Sequence, residues 1–222
     1  MEVAVVDVSL ITGMYGGYDS LSPLPDGHGF AEAICVTDDP NLSVEGWMTV
    51  HVPSEHGFRL AAKAPKLMPF RFASHDLAVW IDASATIVDT TFRQFCLHAL
   101  ADADLVAWKH PENRDCLFQE AAYCQDWPQN RKMPLREQTA HYRAEGMPEH
   151  YGLWACGILG WRKTDETVGF GEAWFEENRR WSTRDQVSFP YLLWKMQPRL
   201  GVFPANQTNN RYVRYKNHLV RR

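Results

Sequence analysis

Short apolar runs alternate along this chain with longer segments of helical period, and that alternation predicts its elements. VAVVDVSLITGMYGGYD (3–19) is a β-rich run that closes in a glycine-containing turn. FAEAICVTDDP (30–40) repeats the scheme, with Thr37, Asp38 and Asp39 at the turn. WMTVHV (47–52) alternates as a third strand. In FRLAAKAPKLMPFRF (58–72), Leu60, Lys63, Ala64 and Leu67 recur at helical spacing, and Pro65 is expected to break that helix early. LAVWID (77–82) reads as the most deeply buried strand and ends on an acid, Asp82. TTFRQFCLHALAD (90–102) sets Phe92, Phe95, Cys96, Ala99 and Leu100 on one helical face, and DLVAWKH (104–110) is the next strand.

The second half continues the alternation. DCLFQEAAYCQDW (115–127) and MPLREQTAHYRAEG (133–146) read as helices, the latter closed by Gly146. LWACGILGWR (153–162) is a strand. ETVGFGEAWFEENRRW (166–181) and RDQVSFPYLLWKM (184–196) are helices, and Pro190 implies a kink or late start in the second. LGVF (200–203) is a short strand. Strands alternating with helices predict an α/β sandwich with a mainly parallel sheet, in which ligands sit at the carboxyl ends of the strands. There is no internal repeat and no linker, so the 222 residues read as one domain.

Charge changes this picture in one place. Residues 186–222 hold seven Lys/Arg and no Asp/Glu, whereas residues 1–185 carry 16 basic against 27 acidic side chains. A basic patch on an acidic body, concentrated at Arg211, Arg214, Lys216, Arg221 and Arg222, suits a local anionic ligand such as a diphosphate, with a solvated tail as the plain alternative. It does not suit a protein that coats nucleic acid. No apolar stretch reaches the roughly 20 residues of a membrane span, and Glu2 stands where a signal peptide would be basic. Five cysteines, with no CxxC and no zinc-ligand spacing, suggest buried thiols in a reducing compartment. A cytoplasmic protein is the expectation.

Four polar clusters follow strand candidates: Thr12–Asp19, Thr37–Asp39, Asp82–Ser84 and His110–Asp115. Turns are polar in any case, but four such clusters on successive strands favour one cleft along one rim of the sheet. In the first cluster Gly16 and Gly17 allow close backbone approach, and Tyr15 or Tyr18 offers a ring for stacking; a plain glycine turn explains it equally well. Asp115 also fits the start of a helix, and Asp185 also fits a helix cap.

The pieces in this order resemble a family of glycosyltransferase-like domains found in bacterial proteins and in plant cell-wall proteins. The matching segments are ITGMYGGYDSL, CVTDDP with GW at 46–47, AAKAPKLMP, VWIDAS, WKHPENRDCLFQEA, QTAHYRAEGMP, GFGEAWFEE and STRDQVSFPYLLWK, over roughly residues 8–196. The resemblance implies a GT-A-like fold, a single-domain α/β/α sandwich with a mostly parallel mixed sheet. It also implies transfer of a sugar from a nucleoside-diphosphate donor, with a UDP-sugar expected, to an acceptor hydroxyl on a glycan, protein, small molecule or modified nucleobase. A degenerate member that binds nucleotide-sugar or glycan without turnover is the alternative.

Such enzymes commonly hold Mn²⁺ or Mg²⁺ on an acid-x-acid motif; here that motif is Asp82-Ala83-Ser84. The resemblance makes Asp82 a metal or donor ligand, Ser84 a weak oxygen ligand or a ribose or phosphate contact, and His218 a second metal ligand. Lys66, with Lys63 nearby, is expected on the diphosphate. Thr12, Tyr15, Tyr18, Thr37 and Asp38 belong to the nucleoside end. His110, Arg114 and Asp115 are expected on the acceptor side. Arg184 and Gln186 flank Asp185, which with Glu120 is the candidate for the oxocarbenium-facing carboxylate or the general base.

Overall fold

The computed structural model describes residues 6–55, 57–112 and 114–216. Seven strands form the main sheet: β1 (Ser9–Met14), β2 (Glu32–Thr37), β3 (Met48–His51), β4 (Leu77–Ile81), β6 (Leu105–Lys109), β7 (Trp154–Arg162) and β8 (Leu200–Val202). Their order is β3-β2-β1-β4-β7-β6-β8. β7 runs against its two neighbours, and the other six strands are parallel to one another. This is the mostly parallel mixed sheet expected.

Both faces of the sheet are covered, which is why its strands are apolar without alternation. Period-two geometry sends Ile11, Ala78, Trp80, Leu105 and Ala107 into one core and Leu10, Val79, Ile81, Val106 and Trp108 into the other. The first core is closed by α2 (Ala64–Leu67), α4 (Leu117–Cys124), α5 (Leu135–Ala144), α6 (Asp165–Arg180) and α7 (Asp185–Met196). The second is closed by α3 (Phe92–Ala99) and by a small antiparallel pair, β5 (Ala85–Ile87) with β9 (Val213–Tyr215). All five cysteines are buried and unpaired, and no helix among the described residues is long and apolar enough to cross a membrane.

Two expectations are corrected. The helix anticipated over 58–72 is three separate turns: α1 (Phe58–Ala61), α2, and a 3-10 turn at Pro69–Arg71. Pro65 starts α2 instead of interrupting a longer helix, because its missing N–H is harmless in a first turn. The basic segment after residue 203 is not a solvated tail over 213–215. β9 pairs with β5, and the Lys216 amide donates to the Ser84 carbonyl at 2.8 Å. In α7, Pro190 sits inside a helix that runs through it.

The one-turn α2 is held by α6 through Gly171. A Cβ at this position would lie 2.1 Å from the Leu67 carbonyl oxygen. Gly171→Ala is therefore expected to lower stability in urea unfolding by about 1–3 kcal/mol, through overpacking against backbone. Gly169→Ala on the same helix meets nothing within 4 Å, and is expected to raise stability by about 0.5–1 kcal/mol through helix propensity.

Candidate active site

The parallel strands β1, β2, β4 and β6 end at one edge, so the four polar clusters share a rim. Here a cleft of about 310 Å³ is lined by Gly13, Lys63, Lys66, Asp82, Gly157, Arg184 and Asp185, among others. Its floor comes from a break in pairing. β6 skips from Leu159 to Ala155 of β7, between Ala107 and Trp108, so the stretch containing Cys156 and Gly157 is outside the β6 register. Both residues line the cleft.

Asp82 follows Trp80 by two residues and so faces the same helical layer. Its Oδ1 accepts from Trp80 Nε1 at 2.8 Å and from Lys66 Nζ at 3.3 Å. Lys66, 4% exposed, also lies 2.7 Å from Asp185 Oδ2, and Lys63 Nζ reaches that same oxygen at 2.7 Å. Four charges thus form a chain, Lys63–Asp185–Lys66–Asp82, that joins α2, the end of β4 and the start of α7. The charges cancel. Burial alone would raise the Asp185 carboxyl, but the two ammonium groups hold it down at about 2. Burial likewise opposes the Lys66 charge, and Asp185 and Asp82 overcome it and push its pKa up. Lys63 is lowered by burial, which Asp185 only partly offsets. Asp185 does not cap α7, which has no side-chain cap bond; its carboxylate is spent on the lysines. Its Oδ1 is buried with no hydrogen-bond partner among the described residues.

A second network adjoins the first. Glu120 is 1% exposed, with Arg184 Nη2 at 3.0 Å from Oε1 and Arg114 Nη1 at 3.1 Å from Oε2. Arg184 also donates to Gln186 Oε1 at 2.8 Å, and Arg114 packs over the Tyr123 ring at 4.3 Å. The buried His110 has its pKa lowered by burial, and its Nε2 lies 3.5 Å from Arg114. Arg184 and Gln186 reach the cleft; Glu120 does not line it. Asp115 stands apart: α4 begins at Leu117, and Asp115 is exposed and 2.6 Å from His150 Nδ1.

At the opposite end, Asp38 accepts from the Gly16 amide at 3.0 and 3.3 Å, which pins the β1 turn to the end of β2. Gly16 and Gly17 both have positive φ there. Thr37 is buried and its hydroxyl accepts from the Asp39 amide. Thr12 is buried with its Oγ1 unpartnered among the described residues. Tyr15 is packed against Ile34 and Val36, 5% exposed, so its ring does not face the cleft as expected; Tyr18 is 52% exposed. Ser84 is buried, and lines the cleft beside Asp82.

Among the described residues the donor set is not that of a metal held by protein side chains alone. Among the described residues no three His, Cys, Asp or Glu gather. Asp82 offers Oδ2 alone, because Oδ1 already receives an indole and an ammonium. His218 lies outside the described residues. Of the tail arginines, Arg211 pairs with Asp89 at 2.7 Å, Arg214 turns to the Asn210 and Val213 carbonyls, and Arg221 and Arg222 also lie outside the described residues. Among the cleft residues without a motif to mark them are Cys156, Gly157, Thr183 and Gln207, and the β5–β9 pairing brings Tyr215 beside Gly157.

Fold and cleft together define an α/β domain with a polar cleft at the carboxyl edge of its sheet. The chain belongs to the TOD1/MUCI70 glycosyltransferase-like domain family, whose model matches residues 32–218. Among solved structures it is similar to WbbM, a bifunctional glycosyltransferase in its apo form, with 13% identity and TM-score 0.49; the match covers 92% of this chain and 40% of that one. It is also similar to CMP:2-keto-3-deoxy-manno-octonic acid synthetase complexed with CTP (14% identity, TM-score 0.46, 89% of each chain). A third is mouse xyloside xylosyltransferase 1 in its apo form (8% identity, TM-score 0.46, 89% of this chain and 84% of that one). No curated protein matches.

Removing Asp185 leaves Lys63 without its carboxylate and the buried Lys66 with Asp82 alone. Asp185→Asn is expected to cost about 3–5 kcal/mol in chemical unfolding at neutral pH. Because the folded pKa, about 2, is below the ordinary 3.8, this stabilisation is full above the ordinary value and fades as pH falls through 2. The acid limb of the stability curve should therefore be flatter in Asp185→Asn than in wild type.

Proposed function

We propose that this chain transfers a sugar from a nucleoside-diphosphate donor, UDP-linked by expectation, to an acceptor hydroxyl. The observation that carries the reading is the pairing of Asp82 and Asp185 through Lys66 at the carboxyl edge of the sheet. It sets a strand-end carboxylate, a second carboxylate and two ammonium groups around one cleft.

The geometry supports the following roles. Lys63, Lys66 and Arg184 present positive charge toward the diphosphate, whose negative charge grows as it leaves. Asp82, Ser84 and the β1 turn form the donor wall, with Thr12, Thr37 and Asp38 at the nucleoside end. Tyr18, exposed at the rim, replaces Tyr15 as the ring a base can reach. Asp185 is held anionic far below neutrality, so it is a poor proton acceptor and a good partner for oxocarbenium charge. Glu120, closed in by two arginines and outside the lining of the cleft, positions Arg184 and Arg114. His110 and Arg114 lie on the acceptor side of that network, and Asp115, paired with His150, lies outside it. No step is assigned to a metal, since Asp82 Oδ2 finds no second protein ligand among the described residues.

The test is a panel of nucleotide-sugars incubated with the protein, once with Mn²⁺ and once with chelator, with released nucleoside diphosphate read by mass spectrometry. Wild type should release nucleotide from at least one donor. Asp82→Ala should lose at least about tenfold, the loss of one charge-assisted contact. Lys66→Met should lose as much while remaining folded by circular dichroism. Donor binding without release would identify a binding module. If every donor survives and no nucleotide raises the melting temperature, the reading fails.

A further inference from the structure

At the floor of the cleft, Gln207 in its lining and Tyr215 beside Gly157 are two neutral polar side chains that the charge networks do not use. Tyr215 and Gln207 converge on Gly157: a Cβ built there would lie 3.0 Å from the Tyr215 hydroxyl, 3.2 Å from Gln207 Nε2 and 3.3 Å from Asp82 Oδ2. The Tyr215 hydroxyl and Gln207 Oε1 are both buried and have no hydrogen-bond partner among the described residues. A buried hydroxyl or amide without a partner is costly and rare, and is a mark of a group kept for a ligand.

Several contacts hold this arrangement. Tyr215 pairs with Ala85 across β5–β9, Lys216 N bonds Ser84 O, and Asp82 N bonds the Gly157 carbonyl at 2.8 Å. Trp108 Nε1 bonds the Pro204 carbonyl at the start of the segment that carries Gln207. The unpartnered groups are therefore fixed in place and not waiting to turn to solvent.

We infer that Gly157, Tyr215 and Gln207 form the subsite for hydroxyl groups of the sugar on the donor. The inference rests on the glycosyltransfer reading above. Its chemistry is separable from diphosphate binding. Lys63, Lys66 and Arg184 supply the cations that an anion needs. Tyr215 and Gln207 supply uncharged donors and acceptors, which match the paired donor and acceptor character of sugar hydroxyls. Burial and the nearby Asp82 carboxylate push the Tyr215 phenol up, so it stays a neutral hydroxyl that can both donate and accept. Gly157 lines the cleft beside these groups, and a side chain there would crowd the Tyr215 hydroxyl, Gln207 Nε2 and Asp82 Oδ2.

The test compares UDP-glucose, UDP-galactose and GDP-mannose with UDP and GDP by titration calorimetry on wild type, Tyr215→Phe, Gln207→Ala and Gly157→Ala. For whichever donor binds, Tyr215→Phe is expected to weaken the nucleotide-sugar about tenfold, the worth of one buried hydrogen bond, with affinity for the bare nucleoside diphosphate unchanged. Gly157→Ala should weaken the same ligand and also spare the nucleotide. Tyr215→Phe should keep or raise the melting temperature of the unliganded protein, because it removes a buried hydroxyl with no partner among the described residues. Equal losses for nucleotide-sugar and nucleotide, or no loss for either, overturn the subsite. A wild-type protein that binds none of the five compounds overturns the glycosyltransfer reading itself, a distinct result.

Discussion

The site depends on keeping Lys66 charged where water scarcely reaches it. Its ammonium group is stable only because Asp185 and Asp82 lie on either side, and those carboxylates are themselves held by Lys63 and Trp80. Lys66 and Asp185 alone would each be penalised by desolvation. Together they form a closed set of zero net charge that ties three elements remote in sequence. The sheet edge could not open into a polar cleft without it, since a lone buried charge would collapse the arrangement or lose its proton.

This set also explains the backbone around it. α2 is a single turn, too short to be stable alone. It is fixed by Lys66 on one side and by the close approach of Gly171 on the other. The register break in β6–β7 releases Gly157 to the floor of the cleft, and β9 closes beneath it. Two neighbouring polar systems result, one ionic and one neutral. A nucleotide-sugar has the same division: an anionic diphosphate joined to an uncharged polyol.

Much of the fold was legible because its signals are local. Continuous apolar strands such as LAVWI and amphipathic segments such as FRQFCLHA state their type through period and composition. Pro65 reads as a breaker because its chemistry is local; that it starts α2 depends on where α6 packs. β5 was missed, since three residues after a turn carry no period. Tyr15 and Tyr18 are indistinguishable by type and spacing, and only packing against Ile34 and Val36 buries one and leaves the other at the rim. Asp185 and Glu120 both read as catalytic acids; their difference lies in which cations meet them.

By itself the sequence determined the class of the protein and the rim on which its site lies. Parallel strands place their polar ends at one edge, and Asp82 must face with Trp80 because side chains repeat every two residues. Tertiary structure decided the roles. Lys66 meets Asp82 and Asp185 only once α2 and α7 pack on the same face, 16 and 119 positions away along the chain. Gln207 and Tyr215 enter only once the C-terminal segment folds back onto β5. Electrostatic partnership and burial are properties of distance in space, and distance along the chain does not contain them.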